Sequence, residues 1–297
     1  MHNLARKTSL CCAMLLPLAA SLSLNLQAQD ANDGPPKVLV IQREYLKPGK
    51  GGMLHDRSEA AFVRAFSSGE PNIHYFAMDS LSGPSRALFI SAYDSFAAWE
   101  KELNALSANK AKSAAVDHAA LLDGDLLASY DAVAMVLRPD LSLNKGHIKG
   151  TRYFEITTYN VRPGHSHQFA ELARMFADAL SKVDANAHWD CFEVIYGNPA
   201  PGMPSGDIFV VINTMESLAE VDTENADFDK VNSSLGADGM KKAGELEAAS
   251  VESESTNLFV LNPRMSNPLA DWVKRDPKFW TGPVSAPMKK ADASKTP

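Results

Sequence analysis

The same strand–turn–helix pattern occurs twice in this chain, 115 residues apart. Residues 151–183 read TRYFEITTYNVRPGHSHQFAELARMFADALSKV, and residues 37–66 read KVLVIQREYLKPGKGGMLHDRSEAAFVRAF. A Pro-Gly pair, Pro48-Gly49 or Pro163-Gly164, separates an apolar strand from a helical segment in each copy. Apolar residues of the second helical segment recur every three or four positions, which predicts a helix with one buried face. The repetition indicates two copies of one small domain.

Three further landmarks keep their order in both copies. They pair Asn72–Tyr75 with Asn186–Trp189, Asp94–Ala97 with Glu216–Ala219, and Val136–Ser142 with Val260–Ser266. Each copy reads β-α-β-β-α-β, which predicts ferredoxin-like repeats over residues 37–143 and 150–267. The predicted strands cover residues 37–46, 73–78, 87–92 and 132–137 in the first copy, and 152–161, 188–196, 208–212 and 258–261 in the second.

Several predicted strands are continuous apolar runs, such as Leu88–Ile90, Ile208–Ile212 and Leu258–Leu261. A sheet with one face in water should alternate apolar and polar residues, so both faces are expected to be covered. Helices can cover one face and a second sheet the other. The prediction is an α+β protein whose two antiparallel four-stranded sheets face each other as a pseudo-dimeric α/β barrel, with the helices outside. The halves pair within one chain, as a monomeric pseudo-dimer, or with a second copy, as a homodimer.

This element order resembles that of the dimeric α+β barrel superfamily, over residues 37–267. Its ferredoxin-like members include antibiotic-biosynthesis-type monooxygenases, haem-degrading enzymes and the NIPSNAP family. The strand followed by Lys47-Pro48-Gly49 or Arg162-Pro163-Gly164 and a helix is NIPSNAP-like. The resemblance implies the barrel fold. Because members of one fold differ widely in function, it leaves the activity open.

The N-terminus is typical of a Sec-type signal peptide over residues 1–28. Arg6 and Lys7 precede an apolar run over residues 10–24, and Leu26-Gln27-Ala28 offers small-residue cleavage near Ala28. The run is shorter than the ~20 residues of a membrane-spanning helix, so no integral membrane segment is expected after cleavage. We therefore expect a periplasmic or secreted protein, with a disordered lead-in over residues 29–36.

Charge and cysteine content exclude some functions. Removing Arg6 and Lys7 leaves 27 basic against 36 acidic residues, a net charge of −9, which argues against a nucleic-acid partner. Cys191 is then the one thiol left, so no internal disulfide forms. Its acidic neighbours Asp190 and Glu193 would raise its pKa, which predicts a buried core thiol rather than a nucleophile.

A histidine followed by an aromatic residue recurs as His74-Tyr75 and His188-Trp189. At a barrel mouth such a pair could bind an anion, a metal ion or the edge of a haem. Turn chemistry is the simpler explanation, in which Asn72 and Asn186 cap the bend and each histidine hydrogen-bonds to the backbone.

A second candidate site is confined to the later copy. His165 and His167 flank the start of its helix, and Glu171 lies four residues after His167, so the three side chains could bind a metal ion. The spacing matches no recognised zinc pattern. In the alternative reading Ser166 caps the helix and both histidines are exposed.

Charged and phenolic side chains interrupt the predicted strands at Arg43–Tyr45, Arg152, Glu155 and Tyr159. Unpaired charge is costly to bury, so these residues need partners, a wet cavity between the sheets or frayed strand ends. For a cavity we expect Tyr153, Tyr159, His188, Trp189, His74 and Tyr75 to be its ligand-pocket residues.

Three functions stay open. The favoured one is an exported protein that binds a small apolar molecule in the barrel. A cofactor-independent or haem-linked monooxygenase is the first alternative, and a structural or partner-binding module without catalysis is the second. No cofactor is required by the sequence, haem or a metal ion is the alternative, and no catalytic residue is assigned.

Residues 268–297 form a C-terminal tail, and the two tryptophans of its first half, Trp272 and Trp280, predict that this half packs on the body.

Overall fold

The computed structural model describes residues 35–144, 150–197 and 206–281, without the side chains of residues 224–228. The predicted signal peptide, most of the lead-in and the end of the tail lie outside these ranges. Within them, no helix combines the length and apolarity that crossing a membrane requires.

The first half of the chain contributes four strands and three helices. They are β1 (Val38–Leu46), α1 (Met53–Ser67), β2 (Phe76–Ser80), β3 (Arg86–Tyr93), α2 (Phe96–Ala108), α3 (Lys110–Asp123) and β4 (Leu127–Leu137). The second half contributes β5 (Tyr153–Val161), α4 (Ser166–Val183), β6 (Asp190–Tyr196), β7 (Ile208–Met215), α5 (Ala219–Ser250) and β8 (Val251–Leu261). Two short tail helices follow, α6 (Ala270–Arg275) and α7 (Pro277–Thr281).

The eight strands form one closed antiparallel barrel in the order β1-β3-β2-β8-β5-β7-β6-β4. The hydrogen-bonded pairs β2–β8 and β4–β6 join the two halves of the chain, so the sheet is continuous around the barrel. The α+β barrel that the sequence predicts is therefore confirmed. It differs from the prediction in one respect, since the halves are joined at their strand edges instead of forming two separate facing sheets.

The barrel interior is filled by apolar side chains from all eight strands. On β1, Leu39 and Ile41 point inward, while Val38 and Val40 point outward and pack near Trp99. This two-sided burial explains the continuous apolar runs of the sequence. The buried interior cluster consists of Leu39, Ile41, Phe76, Met78, Leu88, Ile90, Val133, Met135, Phe154, Ile156, Phe192, Val210, Ile212, Phe259 and Leu261.

Two strands begin five or more residues earlier than the sequence predicts. β4 begins at Leu127 instead of residue 132, and β8 begins at Val251 instead of residue 258. The early part of β8 is polar and exposed, so it carries no apolar signal, yet its backbone pairs with β5 through Tyr159 and Glu254. Pairing along the barrel, rather than burial, extends this strand.

The tail helices cover the barrel end at which β2 and β5 begin. The Trp272 ring stacks on Phe76 with centroids 3.8 Å apart, and Trp280 lies 6.4 Å from the same ring. The Arg152 guanidinium lies 4.0 Å from the centroid of Phe279. We call this the tail end of the barrel, and the end formed by the last residues of β1 and the first of β3 the open end.

Candidate metal centre

A compact group of four titratable side chains lies on the outer face of the barrel, beneath α1 and α3. It consists of Glu44, His55, Glu59 and Asp123, each of which offers one ligand atom within 4.8 Å of the others. In the described part of the chain, no other group of three or more such side chains meets this criterion.

Three elements position these side chains. Glu44 lies on β1 between Arg43 and Tyr45, and because side chains alternate along a strand it faces away from the barrel interior. His55 and Glu59 are four residues apart on α1, so they share one helical face. Asp123 is the last residue of α3. Packing of α1 and α3 on β1 therefore assembles the cluster.

His55 lies at the centre of the cluster. Its Nε2 atom is 3.0 Å from Glu44 Oε2, 3.7 Å from Asp123 Oδ1 and 3.8 Å from Glu59 Oε1. Tetrahedral ligands about 2.0–2.1 Å from a zinc ion would be roughly 3.3 Å apart, so the three distances from His55 Nε2 differ from that spacing by about 0.5 Å or less.

The cluster is buried and incompletely hydrogen-bonded. The solvent-exposed fraction is 0% for His55, 1% for Asp123, 2% for Glu59 and 7% for Glu44. Glu59 Oε1, Asp123 Oδ1 and His55 Nδ1 are buried without a hydrogen-bond partner in the described structure. Buried carboxylate oxygens in this state are costly unless a proton or a cation satisfies them.

The electrostatics of the cluster follow from burial and mutual repulsion. Burial, followed by the charges of Glu44 and Asp123, raises the pKa of Glu59 to about 10. Burial also raises the pKa of Glu44, against the opposing hydrogen bond from His55. For His55 burial lowers the pKa, but the hydrogen bond to Glu44 and the surrounding carboxylates outweigh it and raise the pKa overall. Without a metal ion, the cluster therefore favours bound protons.

Tyr75 borders the same cluster. Its hydroxyl group is buried without a hydrogen-bond partner in the described structure. Burial and the charges of Glu59 and Glu44 raise its pKa, and its ring lies 6.0 Å from Phe89, which in turn contacts His55 at 6.4 Å. The sequence singled out Tyr75 as a pocket residue, and the structure places it beside the carboxylates on the outside of the barrel.

The acidic residues Asp56 and Asp79, near the cluster, have hydrogen-bond partners of their own. Asn262 donates to Asp56 and Asp79, at 2.9 and 2.7 Å, and Arg264 pairs with Asp56 at 2.9 Å. Arg264 is thus engaged by Asp56 rather than by the four-residue cluster.

The other predicted pocket residues do not line the barrel. Tyr159 and Trp189 pack beneath α4, where Tyr159 lies 5.2 Å from Phe169, and this cluster is distinct from the interior one. Tyr153 shares the outward register of Tyr159 because Phe154 and Ile156 point inward. The expectation that these three side chains face a cavity between the sheets is corrected by the strand register. Ligand binding at these residues stays a prediction.

The two predicted turn histidines bond to backbone atoms. His188 Nδ1 is 3.1 Å from the carbonyl oxygen of Asn186, and its Nε2 contacts both oxygens of Thr214. His74 Nδ1 lies 3.2 and 3.1 Å from the carbonyl oxygens of Asn267 and Pro268. Both histidines thus bond to backbone oxygens, but the partners of His74 lie on the segment after β8 and not in its own turn.

The structure does not assemble the metal site predicted at His165, His167 and Glu171. They are absent from the described groups whose ligand atoms converge. His167 is exposed, and Glu171 pairs with Lys242 of α5. Ser166, the predicted helix cap, instead donates to Asp207, and the capping position belongs to His165. His165 precedes α4, and His167 lies in the first turn of this helix.

Sequence reasoning missed His55, Glu59 and Asp123, and it noted Glu44 only as a charge within a strand. One signal was available. His55 and Glu59 are spaced by four residues within a predicted helix, on the side that carries the apolar residues Phe62 and Phe66 one turn further on. Asp123 offered no such signal, because α3 brings it to the cluster from 64 residues beyond Glu59.

Comparison with known proteins adds evidence on the fold. No family model matches the chain, and no curated protein matches it. An anthrone oxidase-like protein of known structure is 12% identical with a TM-score of 0.51, over 77% of this chain and 93% of that one. A provisionally assigned monooxygenase from Fusobacterium nucleatum subsp. nucleatum is 9% identical with a TM-score of 0.46, over 76% and 93%. A mutant chlorite dismutase from Candidatus Nitrospira defluvii is 10% identical with a TM-score of 0.42, over 82% and 96%.

At these identities the likeness is one of fold, and the anthrone oxidase-like structure carries it. The resemblance that the element order suggested is confirmed at this level. The chain has the α+β barrel fold of the dimeric α+β barrel proteins.

Proposed function

We propose that this protein binds one divalent transition-metal ion through Glu44, His55, Glu59 and Asp123. The observation that supports it is the convergence of four buried donors with unsatisfied carboxylate oxygens. One imidazole nitrogen and three carboxylate oxygens form a donor set that suits zinc, which protein sites commonly hold in tetrahedral geometry.

The proposed ion has a structural role. Structural zinc sites have four protein ligands, whereas catalytic sites keep one position open to water or substrate. Here four protein donors converge and all are at least nine-tenths buried. An ion at this place would tie β1 to α1 and α3, and its binding free energy would add to the stability of the fold.

The metal content of purified protein tests this proposal. After chelation and reloading with Zn²⁺, mass spectrometry of metals should give one ion per chain. Reloading with Co²⁺ should produce the visible absorption of a tetrahedral cobalt site. Glu59→Gln and His55→Gln should each lose the bound ion, because each removes a donor while conserving most of the side-chain volume.

Glu171→Gln is the matched control. It removes a carboxylate that pairs with Lys242 outside the cluster, so the bound ion should be retained. Loss of the ion from this variant, together with its retention in Glu59→Gln, would place the metal at the site predicted from the sequence and contradict the proposal.

Binding of a small apolar ligand and monooxygenase chemistry remain proposals from the sequence. Fifteen buried apolar side chains pack together in the barrel interior, which favours metal binding on the outer face over a ligand in the barrel centre. The monooxygenase alternative has the support of a shared fold alone. Oxygen uptake in the presence of a quinol, and a Soret shift on haem addition, would be the observations in its favour.

Export and duplication are two further proposals. Residues 1–28 support secretion to the periplasm or the exterior by their composition. The strand order β4-β1-β3-β2 in the first half and β8-β5-β7-β6 in the second supports an origin by duplication of an ancestral half. Detection of the mature N-terminus near residue 29 in an exported fraction would test the first of these.

A further inference from the structure

A second polar group lies inside the barrel, near its open end. Arg43 shares the inward register of Leu39 and Ile41 on β1. It pairs with Leu88 of β3 and with Asp131 of β4, while Tyr45 pairs with Arg86. Arg43, Arg86 and Asp131 therefore follow the apolar interior cluster toward the open end.

Asp131 accounts for only part of the hydrogen-bonding capacity of the Arg43 guanidinium group. Its Nε lies 2.5 Å from Asp131 Oδ1, and the Arg43 side chain is 17% exposed. Its Nη2 atom is buried without a hydrogen-bond partner in the described structure. The fork of a guanidinium group suits two parallel hydrogen bonds to a carboxylate, so the ion pair leaves donor capacity directed elsewhere.

In the described part of the chain, no carboxylate pairs with Arg86. Its guanidinium carbon lies 5.1 Å from the Phe259 ring centroid and 5.8 Å from that of Tyr45, so aromatic faces hold it. Its Nε atom is buried without a hydrogen-bond partner in the described structure. Arg43 and Arg86 are diagonal neighbours on β1 and β3, a relation that places residues about 7–8 Å apart.

The charge balance of this group is positive. Arg43 and Arg86 contribute two cations, and Asp131 contributes one anion. Ser129 of β4 and Ser255 of β8 share the inward register closer to the open end and are exposed, so water reaches this part of the barrel. The buried amide of Asn257 lies two residues deeper on β8 than Ser255.

We propose that the open end of the barrel binds a small organic carboxylate, whose head group accepts hydrogen bonds from Arg43 and Arg86. A carboxylate supplies the missing negative charge and two acceptor oxygens for the unpartnered guanidinium N–H groups. The site is separate from the proposed metal centre, which lies on the outer face of the barrel. It explains why the interior carries two arginines and one acid.

The test uses 4-fluorobenzoate as the probe, observed by fluorine NMR during titration with the full-length protein. Saturable line broadening is expected for 4-fluorobenzoate and not for the neutral 4-fluorobenzyl alcohol. Arg86→Gln should weaken 4-fluorobenzoate binding by about tenfold or more, because it removes a charge-assisted hydrogen bond. Arg64→Gln, on the exposed surface of α1, is the control and should leave binding unchanged.

Competition identifies the head group. Displacement of 4-fluorobenzoate by acetate supports the carboxylate assignment, whereas displacement by inorganic phosphate alone overturns it. The absence of saturable binding, or equal binding by wild type and Arg86→Gln, also overturns the proposal. If circular dichroism shows that Arg86→Gln does not fold, the double variant Arg43→Gln/Asp131→Asn provides the same comparison, since it removes the second guanidinium together with its partner.

Discussion

Glu44 and Glu59 belong to one cluster, but their surroundings differ. Glu44 lies 3.0 Å from His55 Nε2, within hydrogen-bond distance, whereas Glu59 is 3.8 Å away and keeps an unpartnered Oε1 atom. Glu44 is therefore the counter-ion of His55. Glu59 is a carboxyl group for which burial makes the neutral form favourable at neutral pH.

This difference predicts unequal stability effects of the two substitutions in metal-free protein. Glu44→Gln should destabilise the fold by about 3 kcal/mol, because it removes the carboxylate that is within hydrogen-bond distance of His55 in a buried ion pair. Glu59→Gln should change stability by less than about 1 kcal/mol, because an amide replaces a protonated carboxyl group. Urea unfolding in the presence of a chelator measures both free energies, and equal losses in the two variants would contradict these roles.

The reactivity of Cys191 provides a second prediction at the scale of a single residue. Burial raises the pKa of its thiol to about 12, so almost no thiolate exists at pH 8. Iodoacetamide should leave Cys191 unmodified in native protein and should modify it after unfolding in urea. Peptide mass spectrometry separates this cysteine from Cys11 and Cys12. Rapid alkylation of Cys191 in folded protein would show that β6 does not bury it as described.

At the scale of elements, the tail helices α6 and α7 stabilise the barrel they cover. Trp272, Phe279 and Trp280 are half-buried and pack against the interior cluster. The stacked contact of Trp272 with Phe76 is the closest of the ring contacts at the tail end. The sequence indicated packing of this segment through its two tryptophans, but the ring partners lie almost 200 residues away and no local pattern identifies them.

Trp272→Ala should therefore lower the free energy of unfolding by about 1–3 kcal/mol, through lost burial and lost stacking on Phe76. Thermal and urea unfolding provide the measurement. Lys274→Ala, which removes an exposed pair with Asp271, is the control and should cost less than about 1 kcal/mol. A tryptophan variant as stable as this control would mean that the tail does not pack on the barrel end.

Local patterns predicted most elements, because apolar periodicity reports burial. They failed where backbone pairing with a neighbouring strand, and not burial of side chains, forms the strand, as in the polar first half of β8. Within α5, Gly236 has a positive φ and interrupts the helical geometry, a conformation that glycine tolerates.

At the scale of the whole molecule, the repeated pattern made the barrel predictable, whereas the proposed metal centre breaks the repetition. An offset of 115 residues places Tyr159, Ala170 and Arg174 at the positions of Glu44, His55 and Glu59. Tyr159 packs on Phe169 in the second half, so an aromatic contact occupies the position that the carboxylate of Glu44 has in the first half. The cluster draws on β1, α1 and α3, and only the folded chain shows that these elements meet. A comparison of the two halves, position by position, would have revealed the charged exception.

Anomalous diffraction from crystals of the zinc-loaded protein, collected at the zinc absorption edge, tests the central claim most directly. We predict one peak about 2.0–2.2 Å from His55 Nε2 and from one carboxylate oxygen each of Glu44, Glu59 and Asp123. The absence of a peak at these residues, or a peak only beside His165 and His167, would contradict the proposed metal centre.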